Sequence, residues 1–304
     1  MTSQFPRSVK ESIERSLDTT LHDVRLLPSG MNGRTYEIGD GFHRWVARLG
    51  MPRKAILAQQ NASAAGMRVP KIVDSGTQLL EKITAYWVVE EFVAGSEFHP
   101  ERFSREDAVA ISTDLGRQLR MLHAVHVDGY GHFTRDALRG GHATWTEWVA
   151  AEEKNIDQAV ELAGIHRQGA SKLREAYRFL QDSYDGAARL CHGDFADDNV
   201  LVDKGRLVAA VDWEGSLACD PAYDVAYWFL WHGNADYREA LLAGYAPDDL
   251  EVFRQRVMAH RMLLATQFIV WHSSQGDQEG VEHSKDVLRQ NIGQPADAPE
   301  RKRG

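Results

Sequence analysis

One stretch, Leu190 to Glu214, constrains this chain more than any other. It sets Asp194 and Asn199 five positions apart in a loop, between an apolar run ending at Cys191 and the run Val200-Leu201-Val202. A further apolar run, Leu207 to Val211, delivers Asp212 at its end, with Glu214 two residues on. Short apolar runs bounded by glycine and charged residues read as buried strands. The chain must therefore fold so that strands and a loop hold a carboxylate, an amide and a second carboxylate. Carboxylate and amide oxygens are hard ligands suited to Mg²⁺, and a carboxylate beside them can accept a hydroxyl proton. Phosphoryl transfer needs that set, because it asks the protein for positioning and charge neutralisation more than for covalent chemistry.

The rest of the chain changes texture along its length. An amphipathic helix is expected over Val9 to Leu17, followed by strands over Asp23 to Leu27, Arg34 to Ile38 and Phe42 to Leu49. The connections Pro28 to Gly33 and Gly39-Asp40-Gly41 carry the glycine and asparagine that hairpin turns favour. A helix over Arg53 to Ala65 and strands over Lys71 to Asp74 and Ala85 to Glu91 complete a β-rich first third. Beyond Gly95 helices dominate, among them Trp145 to Leu162, Ser171 to Tyr184 and Leu250 to Trp271. Leu115, Leu119 and Leu122 mark the buried face of another. The class is α+β with two lobes: an N-lobe over 1–93, a C-lobe over 94–275 and a polar tail over 276–304.

Composition closes off several alternatives. Hydrophobic residues at 43% and charged residues at 26% are ordinary globular values. A net charge of -9 argues against a general nucleic-acid binder, which would carry a basic surface. The two cysteines, Cys191 and Cys219, stand outside any CxxC or Cys/His spacing, so neither a disulfide framework nor a zinc site is expected. With no signal-like start and no run of ~18 apolar residues, the chain reads as cytoplasmic, with no membrane partner. Monomer and dimer both stay open.

His192-Gly193-Asp194, four residues, Asn199, a strand and then Asp212-x-Glu214 resemble the motif of the aminoglycoside phosphotransferase and choline kinase-like family. That resemblance implies a two-lobed protein-kinase-like fold, with a small antiparallel N-lobe sheet and a larger, mainly helical C-lobe. By the same resemblance Asp194 matches the catalytic base, and Asn199 and Asp212 match Mg²⁺ ligands. His192 and Asp224, the latter in Asp220-Pro221-x-Tyr223-Asp224, match structural supports of the catalytic loop. The phosphoryl donor implied is ATP or GTP.

The N-lobe should hold that nucleotide. Gly30, Asn32 and Gly33 sit where a kinase places its phosphate-covering loop, and glycines there let backbone N–H groups approach phosphates. Arg48, in Trp45-Val46-Ala47-Arg48-Leu49, takes the position of the kinase lysine and is expected to contact phosphates. The glutamate that pairs with that lysine from the next helix is not evident; the segment offers Gln59 and Gln60. Glu91 and Phe92 match the hinge, whose backbone groups would read the base edge.

The acceptor is expected to be a small molecule, an antibiotic carrying a hydroxyl. Gly129-Tyr130-Gly131, Thr144-Trp145, Asp203-x-Gly205-Arg206 and Phe229-x-Trp231 are similar to the hygromycin-phosphotransferase branch of the family. Asp197, Asp198 and Glu214 could attract a cationic amino-sugar, or they could face solvent. Trp231 and Trp271 offer indole faces that stack on sugar rings or bases. An aminoglycoside, a hygromycin-like aminocyclitol or a nucleoside-type antibiotic would all suit. A metabolic kinase for a sugar, choline or homoserine, and a scaffold that binds nucleotide without turnover, remain the rival readings.

Overall fold

The computed structural model describes residues 5–27, 34–80, 83–134 and 136–293. Gly30, Asn32 and Gly33 lie outside the described residues. Helix α1 (Arg7–Leu17) precedes β1 (Asp23–Leu26), β2 (Arg34–Gly39) and β3 (Arg44–Met51); α2 (Arg53–Ala64) leads to β4 (Ile72–Leu80) and β5 (Ile83–Glu91). The five strands form one antiparallel sheet in the order β1-β2-β3-β5-β4.

Strand alternation sorts the two faces of that sheet. Ala47 and Leu49 of β3 and Trp87 and Val89 of β5 pack with Val9 and Ile13 of α1 in a small separate core. Val88 belongs instead to the main core with Ala55, Ile56 and Ala58 of α2. Arg48 on β3 and Glu90 on β5 alternate in step with Val88, so they share the α2 side of the sheet.

The second half builds two small sheets among helices. After β6 (Ser96–Glu97) come α3 (Arg105–Leu122), β7 (Tyr130–Phe133), β8 (Gly140–His142), α4 (Trp145–Glu153), α5 (Ile156–Ala163) and α6 (Arg167–Ser183). Then follow β9 (Arg189–Cys191), β10 (Val200–Asp203), β11 (Arg206–Ala210), β12 (Leu217–Cys219), α7 (Ala222–Trp231), α8 (Ala235–Tyr245), α9 (Leu250–Gln275) and α10 (Gln278–Ile292). The sheets run β11-β10-β6 and β8-β7-β12-β9. Helices α3 and α8 cross closely: a Cβ on Gly116 would meet the Leu241 carbonyl at 2.1 Å, and one on Gly244 the Thr113 carbonyl at 1.9 Å. Cys191 and Cys219 are buried and unpaired. Among the described residues no helix is long and apolar enough to cross a membrane.

The architecture agrees with the expected α+β, two-lobed form, and several local expectations need correction. The single helix over Trp145 to Leu162 is two, broken at Lys154-Asn155 and opened by a capping box between Thr144 and Glu147. Strands β7, β8 and β12 were invisible as short glycine-rich or three-residue pieces. Part of the expected polar tail is helix α10, which buries Val281, Val287, Leu288 and Ile292. Its exposed positions are polar enough to hide that stripe in the average composition. Trp145, Trp148 and Trp228 are core residues, all 5% exposed or less.

Candidate active site

The catalytic-type loop is held from beneath by one buried aspartate. Asp224, on α7, accepts the backbone N–H of His192 at 2.8 Å and that of Gly193 at 2.9 Å. His123, at the end of α3, reaches the same carboxylate through Nε2 at 3.0 Å and meets the Tyr245 hydroxyl through Nδ1 at 3.2 Å. Burial pushes the Asp224 carboxyl up, but His123, His192 and the Gly193 N–H together outweigh it and hold the group below its ordinary value. The trio His123, Cys191 and Asp224 could sterically hold a metal ion. Asp224 already spends its oxygens on the loop and on His123, which marks a structural brace.

Removing one side of such a buried pair typically costs about 3–5 kcal/mol. Asp224→Ala should lower the chemical-denaturation midpoint accordingly, and Asp224→Asn, which keeps one acceptor oxygen, should lower it less. The pH dependence follows the same carboxylate. Its folded pKa lies below the ordinary value of 3.8, so its stabilisation is complete above that pH and is lost as pH falls through the folded pKa. Denaturation midpoints measured from pH 7 downward should hold through the weakly acidic range on this account and fall below about pH 4.

Gly193 makes the turn possible. Its φ is +81°, and a Cβ there would meet the Gly215 carbonyl oxygen at 2.1 Å. His192 ties the loop to the strand leading to Asp212: Nε2 donates to the Val211 carbonyl at 2.9 Å, and Nδ1 accepts the Asp194 N–H at 3.3 Å. Its position therefore suits the support expected of it.

Asp194 is half-buried with both oxygens engaged. Oδ1 accepts the Tyr227 hydroxyl at 2.5 Å, and Oδ2 accepts Asn199 Nδ2 at 3.1 Å. Asn199 Nδ2 also donates to the Asp194 carbonyl at 2.8 Å, so the side-chain Oδ1 of Asn199 is the atom left for a cation. The Val211 N–H donates to the Asn199 carbonyl at 2.9 Å, which brings β11 and the Asp212 that follows it alongside Asn199. Asp212 adopts the left-handed conformation (φ 64°, ψ 72°), and its side chain is 37% exposed. Hard oxygen donors from Asn199 and Asp212, one anionic and partly open to solvent, fit Mg²⁺. Glu214, half-buried two residues on, has its carboxyl raised by burial and then by the Asp212 charge; Arg48 and Lys54 oppose the shift.

Arg48 lies across the cleft, with Nη1 3.8 Å from Asp212 Oδ1. Its Nε donates to Glu90 Oε2 at 3.3 Å, and Gln59 Nε2 donates to Glu90 Oε1 at 2.6 Å. The hinge residues are partly committed to the sheet. The Glu91 N–H goes to the Lys71 carbonyl and the Phe92 N–H to the Arg44 carbonyl, so neither backbone donor is left for a base. The Phe92 ring also lies under the Arg44 guanidinium, 3.8 Å from its centroid.

On the other side of Asp194, aromatic rings continue outward. Tyr227 packs edge-on against Phe268, which meets Trp231 and then Trp271, the last 39% exposed. Trp231 stacks on His283 of α10 at 4.7 Å. Asp197 pairs with His99 Nδ1 at 3.1 Å, and the exposed Asp198 has its carboxyl raised by burial of its inner part and by Asp197. Thus Asp194, Asn199 and Asp212 converge with Arg48, whereas Trp231 and Trp271 lie in a separate aromatic group and Asp197 turns to His99 from within the loop. Sequence reasoning missed Tyr227, Glu90 as a partner of Arg48, His99 and Lys54. Tyr227 follows Asp224 at i+3, the spacing that puts two side chains on one helix face, and this was the available signal.

Known proteins share this architecture. The model of the phosphotransferase enzyme family, APH, matches residues 23–256. Hygromycin-B 4-O-kinase of Escherichia coli is 23% identical over 235 residues, which span 74% of this chain and 66% of the relative. A thermostable mutant of aminoglycoside phosphotransferase APH(4)-Ia, solved with ADP and hygromycin B, superposes with a TM-score of 0.72 at 18% identity. It covers 96% of this chain and 100% of that one. The GDP and kanamycin complex of APH(2")-IIIa gives a TM-score of 0.66 at 15% identity, covering 95% and 99%. With the family model spanning most of its length, the chain belongs to the phosphotransferase enzyme family.

Proposed function

We propose that this protein transfers the terminal phosphoryl group of ATP or GTP to a hydroxyl of an antibiotic, aminoglycoside or hygromycin-like. The observation that carries the reading is Asp194, held by Tyr227 and Asn199 beside the Asn199–Asp212 oxygen pair, whose Asp212 meets Arg48. Asp194 aligns the acceptor hydroxyl and takes its proton as the acceptor oxygen bonds to the terminal phosphorus. The bond from that phosphorus to the bridging oxygen breaks in line, and nucleoside diphosphate leaves. Asn199 and Asp212 would hold Mg²⁺, which would supply neutralisation of phosphate charge. Tyr227 and Asn199 fix the carboxylate before the acceptor arrives, so little reorganisation is left for the transition state.

The aromatic rings beside Tyr227 suit a flat sugar face, and Asp197 and Asp198 suit its amino groups. The same names and complexes among relatives support an antibiotic acceptor. The test is release of nucleoside diphosphate by purified protein with Mg²⁺ and either ATP or GTP. The acceptor panel holds hygromycin B, other aminoglycosides, nucleoside antibiotics, and simple alcohols including choline and homoserine. Release that depends on an aminoglycoside supports the reading. Release with only choline, homoserine or a sugar would replace it with a metabolic kinase.

A further inference from the structure

Arg48 is gripped by a carboxylate from its own sheet. In the antiparallel pairing of β3 with β5, Val46 lies opposite Glu90 and Arg48 opposite Val88. Arg48 and Glu90 are therefore diagonal neighbours on one face, within reach of long side chains. Glu90 is 3% exposed, and its two oxygens are divided between Arg48 Nε and Gln59 Nε2. Gln59 Nε2 also donates to the Pro70 carbonyl at 2.8 Å, which pins the amide from the far side. A buried carboxylate without a cation would be costly, and Arg48 is the cation in contact with it. In protein kinases the corresponding basic residue on β3 is paired by a glutamate of the following helix. Here that helix offers Gln59, which carries no charge and touches Glu90.

We propose that Glu90 is the positioning residue for Arg48, fixing the guanidinium toward the nucleotide phosphates from strand β5, with Gln59 locking the carboxylate in place. The proposal rests on the phosphotransferase reading of the site. Its structural consequence is that the grip sits inside one hydrogen-bonded sheet. A swing of α2 would break the Gln59 contact without removing the charge that orients Arg48. Glu90 is buried, with its oxygens on Arg48 and Gln59, and so acts through Arg48.

The experiment is a double-mutant cycle on nucleotide binding, with no acceptor present. Isothermal titration would give the affinities of Mg²⁺-bound AMP-PNP and GMP-PNP for wild type, Glu90→Ala, Arg48→Ala and the double variant. Thermal midpoints would be recorded alongside. Glu90→Ala should weaken binding roughly 10- to 100-fold, the loss typical when an orienting partner is removed. In the Arg48→Ala background the same change should cost less than about twofold, because the guanidinium it orients is gone. Glu90→Gln keeps the shape and hydrogen-bonding capacity without the charge, should fall between, and carries the cycle if Glu90→Ala does not fold. Equal losses in both backgrounds would mark Glu90 as merely structural and overturn the proposal, as would a wild-type affinity in Glu90→Ala. A wild type that binds neither nucleotide would sink the phosphotransferase reading itself, and the proposal with it.

Discussion

Asp194→Ala is expected to lower kcat by about 10²- to 10⁴-fold, the range for losing a positioned general base, while Mg²⁺-nucleotide affinity survives. The separation of the two effects follows from geometry. Asp194 is engaged by Tyr227 and Asn199, whereas the contact toward Arg48 is made by Asp212. Removing the carboxylate deletes the proton acceptor and leaves Asp212 and Arg48 in place. Asn199 loses one of its two recorded acceptors but keeps the Asp194 carbonyl. Single-turnover measurement of product formation, beside direct titration of nucleotide, would check both halves. Near-normal turnover in the variant would remove Asp194 from the role of base.

Asp212→Ala should behave differently, abolishing Mg²⁺-dependent nucleotide binding and lowering kcat/KM by at least about 10²-fold. Asp212 is the anionic member of the oxygen pair, and without it Asn199 alone supplies a neutral and much weaker ligand. The Arg48 guanidinium would then lose one of its two carboxylate neighbours and keep Glu90. Titrating Mg²⁺ against nucleotide affinity in wild type and variant would measure this. A variant whose Mg²⁺ dependence matched wild type would exclude Asp212 as a ligand.

The loop from His192 to Asp212 is the most legible part of the sequence. Its residue types stand at short, fixed spacing, and Asp194, Asn199 and Asp212 are brought together through the 2.8 Å and 2.9 Å contacts around Asn199. The two-lobed class was legible too, because strand and helix periodicities change near Gly95. The partner of Arg48 was not. Glu90 is separated from it by 42 positions, and their meeting depends on the β3–β5 register, which no local pattern reveals. The resemblance places this stretch at the hinge for its backbone groups, which says nothing of side chains; Glu90 is buried and its neighbour Glu91 is exposed. Helix α10 escaped for the opposite reason: its apolar residues are spaced widely enough for polar positions to dominate any short window.

Tyr227 belongs to two assemblies at once: its hydroxyl bonds Asp194, and its ring edges against Phe268 of the aromatic group. The outer group draws on α7, α9 and α10, while the phosphate side draws on β3, β5 and the loop braced by Asp224. On the proposed reading, drift in acceptor choice can therefore accumulate around Phe268, Trp271 and His283 with the phosphate side left intact. At Tyr227 the two histories are coupled. A lineage changing its acceptor would find that position the narrowest passage, since each new ring contact there must also preserve the hydroxyl on Asp194.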